Sequence, residues 1–279
     1  MSFSADYLAQ LQAFAACGAL PRIRALHLPP PQAPDNNKGE FCALELEDGS
    51  IGLSYVLLDD TLAQLRSGVD GLGLDGADAL TVAQRYADSA GIAKTVGFAA
   101  ANALSRCLFD RAGFRPESCA DSIGQMNPQP GEQIGMIGHF TPLLGRITQS
   151  GARLTVIEMK AHLVGEHDGY RVTLDAEELA HCTKVLSTAT LLLNDTLYRM
   201  LGYCRNARWF ALVGPSAGCL PDALFSRGVT LLGGNWISDR EAFIAALTSG
   251  ASTSPFTYKF ALTSDNYPGF AALLRRIPA

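Results

Sequence analysis

No run in the 279-residue chain approaches the ~18 consecutive apolar residues that a membrane helix needs. The opening residues, Met1-Ser2-Phe3-Ser4-Ala5-Asp6, lack the basic stretch of a secretory signal. Lys and Arg nowhere gather into the stripe that phosphate-backbone contacts require, so nucleic acid is not an expected partner. The seven cysteines (17, 42, 107, 119, 182, 204 and 219) contain no Cys-x-x-Cys. Neither a disulfide framework nor a structural zinc site is written in that spacing, and buried reduced thiols are expected. Charge is scarce as well, at 18% of residues against 48% hydrophobic, which excludes a disordered chain. The expectation is a globular cytoplasmic protein with no membrane partner, apolar enough to form a homo-oligomer.

The net charge of −5 is uneven, because residues 1–76 hold ten acids and four bases while residues 77–279 are nearly neutral. The chain divides along the same lines. Residues 1–76 read as a small α+β unit. Leu8, Leu11, Phe14 and Ala15 recur at helical spacing over 4–17, and apolar runs at 41–46 and 51–58 flank an Asp-Gly turn, a hairpin signal. Glycines from Gly68 to Gly76 predict a loop. Residues 77–116 form an Ala-rich connecting segment with two predicted helices. Residues 117–279 alternate short apolar strands (Gln133–Gly138, Arg153–Glu158, Lys184–Ser187, Trp209–Val213, Val229–Leu232) with helices near 142–150, 176–182, 190–203, 221–227 and 239–248. Repeated β-then-α order predicts an α/β fold with an open, doubly wound, mostly parallel sheet.

In such a sheet ligands bind beyond the carboxyl ends of the strands, where strand order reverses. That rule selects four loops. Gly135-Met136-Ile137-Gly138-His139-Phe140-Thr141-Pro142 places glycines at a strand end before a helix, suited either to an anion held by backbone amides or to a tight turn. It is not the Gly-x-Gly-x-x-Gly dinucleotide fingerprint. Glu158 ends the next strand, where such folds hold a ribose hydroxyl; pairing with Lys160 is the alternative. Thr188, Thr190 and Asn194 follow the third strand and could cap a helix or hold a carboxylate or phosphate. Gly214-Pro215-Ser216-Ala217-Gly218 fits the bare Gly-x-Ser-x-Gly pattern, yet His181 is the last histidine, so the usual Ser…Asp…His order is excluded. His162, Glu166, His167 and Asp168 are candidate metal donors, but their spacing is not that of a helical zinc site and their glycines favour a solvated hairpin.

With those stretches in view, the chain resembles the heavy-metal chelation family known as domain of unknown function 364. The resemblance runs through Ile134–Pro142, Val156-Ile157-Glu158, Ser187–Leu197 and Leu212–Gly228. Upstream, Gly97–Leu104 and the 41–58 hairpin resemble the family's N-terminal companion. It implies an enolase-N-terminal-like domain packed on a Rossmann-like domain, with a site in the cleft between them. It further implies handling of a transition metal or metal chelate, linked to corrinoid or tetrapyrrole metabolism. The chain departs from the family pattern at His139, where an aromatic is expected, and at Asp195, where glycine is expected.

The leading expectation is therefore binding of a metal ion, metal chelate or small anionic metabolite. Asn102, Gly138, His139, Glu158, Thr188, Thr190, Asn194, Gly214 and Ser216 would line the cleft, and His139 and Glu158 would reach the metal. An enzyme of unassigned reaction using the same cleft and a nucleotide-binding regulator are the alternatives.

Overall fold

The structure is a computed structural model that describes residues 2–31, 41–56, 58, 60–119 and 125–277. The chain opens with α1 (Phe3–Ala15), capped by Ser2, and passes through β1 (Ile23–His27), β2 (Phe41–Leu46) and β3 (Ile51–Tyr55). Next come α2 (Thr61–Gly68), α3 (Ala79–Asp88) and the long α4 (Gly91–Arg111). The second half runs β4 (Gln133–Ile137), α5 (Thr141–Thr148), β5 (Arg153–Ile157), β6 (Gly165–His167), β7 (Tyr170–Thr173) and β8 (Lys184–Thr188). It ends with α6 (Thr190–Leu193), α7 (Leu197–Tyr203), β9 (Trp209–Val213), α8 (Asp222–Phe225), β10 (Leu231–Ile237), α9 (Arg240–Ser249), β11 (Thr257–Leu262) and α10 (Phe270–Arg276).

β1, β2 and β3 form an antiparallel sheet, and the other eight strands form one sheet in the order β11-β10-β9-β8-β4-β5-β7-β6. Within it β4, β5, β7, β8, β9 and β10 are parallel, while β6 and β11 are antiparallel edges. The chain leaves β4 toward β5 and β7, then returns to the other side of β4 with β8, β9 and β10. Strand order thus reverses between β4 and β8, the position that the doubly wound rule marks for a ligand.

Alternating residues of this sheet feed two cores. Ile134, Met136, Leu154, Val156, Val172 and Leu186 pack with Leu144 and Ile147 of α5. Ile137, Ile157, Val185, Phe210 and Leu212 belong to a larger core that continues without a break through α6, α7, α4 and α3 to Tyr7, Leu11 and Phe14 of α1. The period-2 alternation is what a strand covered on both faces demands.

The centre of the larger core is α4, which is buried around most of its circumference from Thr95 to Phe109. Small side chains make this possible, because they let neighbouring backbones come close. A Cβ on Gly52 of β3 would lie 2.1 Å from both the Ala103 N and the Ala99 O, and one on Gly97 would lie 2.4 Å from the Tyr86 N of α3. The predicted helices and hairpin of this half are present, with β1 added beside the hairpin. The loop expected over Gly68–Gly76 instead contains the end of α2 and a 3-10 turn, Val69–Leu72.

In the second half the five predicted strands are found, with β10 beginning at Leu231 and extending to Ile237. Strands β6, β7 and β11 were not among them, being short or at the sheet edges. The helix expected near 176–182 is a 3-10 helix, Ala176–His181. The helix expected over 190–203 is broken into α6 and α7, because Asp195 takes a left-handed conformation (φ +58°). That conformation favours glycine, which accounts for the glycine expected there. Among the described residues no helix is long and apolar enough to cross a membrane.

Gly52→Ala is expected to cost about 3 kcal/mol or more, or to prevent folding, since its methyl meets rigid backbone. Gly202→Ala, in the last turn of α7 with open space around it, is expected to be neutral or to stabilise by up to about 0.5 kcal/mol. Urea unfolding of the two variants checks both.

Candidate functional site

Four parallel strand ends stand side by side in the order β9, β8, β4, β5, and each delivers residues singled out by sequence. After β4, Gly138 adopts φ +86°, and a Cβ there would lie 3.2 Å from Thr188 Cγ2 at the end of β8. Gly138 and Thr188 therefore meet at the strand-order reversal. The Gly138 N–H is committed to the Ile157 carbonyl, which locks the turn to β5 (3.0 Å). α5 then opens at Thr141 with Pro142 in its first turn, and no side chain caps its N-terminus among the described residues. Pro142 brings no N–H and the Leu143 N–H donates to the Phe140 carbonyl (2.8 Å), so what this end offers an anion is the positive end of the helix dipole rather than a row of free amides.

His139 is half-buried, with Nδ1 3.3 Å from Thr141 Oγ1 and its ring 6.1 Å from that of Tyr170. Glu158 follows β5, its N–H donating to the Thr173 carbonyl and its Oε2 accepting from the Met159 N–H (3.0 Å). Tyr55, at the end of β3, lies close enough to feel its charge. Burial raises the Tyr55 phenol above its ordinary range, and the Glu158 charge raises it further. The carboxyl end of β5 and the three-stranded sheet thus border one space.

Thr188 and Thr190 are linked to each other. Thr188 Oγ1 donates to Thr190 Oγ1 (3.0 Å) and accepts the Thr190 N–H (3.2 Å), fixing the turn into α6. Asn194 Oδ1 accepts from both the N–H and the hydroxyl of Thr196, bridging the break between α6 and α7. Gly214, after β9, donates to the Gly233 carbonyl and lies against Ala189.

Asn102 and Ser216 lie one layer deeper. The Asn102 amide nitrogen donates to the carbonyls of Leu53 (2.8 Å) and Ser216 (3.0 Å), and its oxygen accepts from the Tyr7 hydroxyl (3.1 Å). Three polar contacts fill a side chain that is 2% exposed. Asn102 ties α4 to β3, to the loop after β9 and to α1, and it borders a cavity of about 30 Å³, room for a water or two.

Sequence reasoning did not single out Tyr55 or Lys94. Lys94 sits in the first turn of α4, is largely buried, pairs with Asp195 and lies 5.7 Å over the Tyr86 ring. A cation in a helix's first turn opposes the helix dipole, and this local conflict was the available signal. Gly165 and Gly169 do form the solvated hairpin expected of them, β6–β7, with His162, Glu166, His167 and Asp168 exposed. There the His167 ring stacks on Tyr170 at 4.8 Å.

A family model described as "Putative heavy-metal chelation" (DUF364) matches residues 121–264, just over half of the chain, and a second of the same description (DUF4213) matches 39–105. The chain belongs to this family. Its DUF364 segment carries every strand of the large sheet, and its DUF4213 segment carries the hairpin, α3 and most of α4. A DUF364 protein of unknown function from Pyrococcus horikoshii superposes with a TM-score of 0.67 at 18% identity, over 92% of this chain and 99% of its own. Another from Desulfitobacterium hafniense DCB-2 gives 0.64 at 19% identity, with the same coverage. These likenesses show the DUF364 fold. The uncharacterised protein MJ0500 of Methanocaldococcus jannaschii is 30% identical over 169 residues, which span 59% of this chain and 62% of that relative.

The family description raises the question of which donors this DUF364 chain could offer a heavy metal. Soft metals select thiolates. Cys42, Cys107, Cys182, Cys204 and Cys219 are all buried, and burial pushes Cys182 up to about 11 and Cys42, Cys204 and Cys219 up to about 12, with Cys107 raised as well. They stay protonated and unreactive at neutral pH. Among the described residues no group of three or more His, Cys, Asp or Glu side chains is placed to hold a metal ion. The donors among the described residues do not fit a heavy-metal centre built from their side chains alone.

Two outcomes are expected. Asn102→Ala leaves the Leu53 and Ser216 carbonyls unpaired inside the fold and should cost roughly 3 kcal/mol, read as a lowered urea midpoint. The second concerns alkaline pH. Above about pH 9 the unfolded chain sheds thiol protons that the folded chain keeps, so stability should fall as pH climbs from there toward 11–12. Urea midpoints at pH 7.5 and pH 10 check this, and Ellman's reagent should label exposed Cys17 in the native state while the five buried thiols react only on unfolding.

Proposed function

We propose that the chain binds a small anionic organic molecule over the carboxyl ends of β4, β5 and β8, and that any metal arrives as the cargo of that molecule. The observation that carries this reading is the reversal point itself: Gly138 in a left-handed turn against Thr188, leading into the uncapped N-terminus of α5. The positive end of the α5 dipole there favours a phosphate or carboxylate group. His139 and Glu158 flank that point and would meet the polar edge of the ligand, or supply one donor each to a metal whose other positions the ligand fills. Thr188 and Thr190 present hydroxyls from the opposite strand.

The family description supports metal handling in general, and the lack of a metal-holding donor group among the described residues favours a chelate over a bare ion. A corrinoid or tetrapyrrole ligand would be one member of that class. Asn102, Asn194 and Ser216 serve this reading as framework, since the Asn102 amide, the Asn194 Oδ1 and the Ser216 carbonyl are engaged within the fold.

Calorimetry separates the possibilities. Inorganic pyrophosphate should bind saturably to the native protein, whereas Cd²⁺ alone should find no stoichiometric site. Gly138→Ala, which sets a methyl against Thr188 in a strained turn, should weaken pyrophosphate about tenfold. His139→Ala with Glu158→Ala should spare pyrophosphate and remove the added affinity of its metal complex. Stoichiometric Cd²⁺ binding, or pyrophosphate binding indifferent to Gly138→Ala, sinks the reading.

A further inference from the structure

Three large hydrophobic side chains stand exposed among the described residues: Met159 (76%), Leu174 (51%) and Val164 (48%). They fall within sixteen residues of one another, and the sheet register draws them to one rim. Met159 follows Glu158 beyond the end of β5, and Leu174 follows the last residue of β7. These strands are parallel neighbours, with Ile157 opposite Thr173. β6 runs antiparallel to β7 with Gly165 opposite Val172, so Val164, just before β6, lies at the same end as Leu174. This rim continues directly from Glu158 of the candidate site.

We propose that the Met159–Val164–Leu174 rim receives the apolar body of the ligand whose anionic group sits at Gly138 and Thr188. The bound molecule is then amphipathic, an organic anion with a hydrocarbon or ring portion of several carbons. This rests on the anion-binding reading above and extends it to the chemistry of the rest of the ligand.

Two observations favour a small molecule over a protein partner. Three partly exposed side chains fall well short of the roughly 800 Å² that each partner brings to a stable interface. The edge strand beside them, β6, has three residues, Gly165-Glu166-His167, and runs into Asp168-Gly169. A short, polar edge of this kind is blunted against pairing with another strand. Exposed apolar groups beside a polar site, in contrast, suit a ligand with both characters.

A homologous series tests the proposal on the intact protein. Affinities of inorganic phosphate and of methyl, butyl, hexyl and octyl phosphate are measured by calorimetry below their critical micelle concentrations. The wild type should gain about two- to fourfold per added methylene once the chain reaches the rim. Met159→Ser with Leu174→Ser removes only exposed side chains; it should flatten the series and leave inorganic phosphate unchanged. Bound phosphate with a flat wild-type series, or a slope that survives the double substitution, overturns the apolar rim while leaving the anion site standing. A series that rises with chain length while inorganic phosphate fails to bind supports the rim and overturns the Gly138 site. No binding by any member overturns both. Sedimentation velocity and flotation with anionic phospholipid vesicles are run on the same pair of proteins. Loss of a dimer, or loss of vesicle binding, in the double variant would assign the rim to a second copy or to a membrane surface and overturn the proposal.

Discussion

The rest of the molecule depends on the close approach of α4 to its neighbours. Gly52 and Gly97 remove the side chains that would hold β3 and α3 away, and a run of alanines does the same on the helix itself. With the backbones in contact, the carbonyl of Leu53 comes within reach of Asn102, and Asn102 can reach Ser216 in the loop after β9 at the same time. One buried amide therefore sets the three-stranded sheet against the carboxyl edge of the eight-stranded sheet. Lys94 and Asp195 make a second, more exposed tie between α4 and the break after α6. With β3 held by these two attachments, Tyr55 at its end comes within range of the Glu158 charge.

This arrangement explains why the candidate site lies where it does along the edge. The loop after β9 is drawn under α4 by Asn102, and Ser216 is buried there. The ends of β4, β5 and β8 have no such cover: Gly138, His139, Glu158 and Thr188 all retain partial exposure. Strand-order reversal selects the β4–β8 junction, and α4 closes the neighbouring β9 end, so the two constraints converge on the same half of the edge.

Most of the large sheet was readable because its strands are buried on both faces. A run such as Trp209-Phe210-Ala211-Leu212-Val213 has one plausible role, whatever surrounds it. The edge strands β6 and β11 and the added strand β1 carry weaker patterns, since among the described residues each pairs with a full strand on one side alone, β11 and β1 meeting only short bridges at Ser118–Cys119 and Gly76–Ala77 on the other, and their polar residues look like loop. The helix break at Asp195 was hidden for a different reason. Leu191-Leu192-Leu193 and Leu197 keep helical spacing through it, and an aspartate in the left-handed region leaves no mark on hydrophobic periodicity. Asn102 shows the limit for sites. A lone amide among alanines signals an unusual position, but sequence cannot say whether its partners are a ligand or the protein's own carbonyls. Here they are Leu53, Ser216 and Tyr7.

The cysteines bear on what a member of a heavy-metal chelation family can do with metal. Five of seven are sealed in the interior, where a thiol behaves as a small hydrophobe. Cys219 lies in the same buried core as Tyr7 of α1, Tyr86 of α3 and Tyr267 before α10, whose phenols are raised first by burial and further by the Cys219 charge. Exposing it to a metal would mean opening the contact on which the relative placement of the sheets depends. The chain cannot spend those thiols on chelation and keep its fold. What the carboxyl edge offers in their place is the positive end of the α5 dipole, hydroxyls, one imidazole and one carboxylate. None of these is a soft thiolate donor, so under the proposed reading selection among soft metals would come from the donors of the organic ligand.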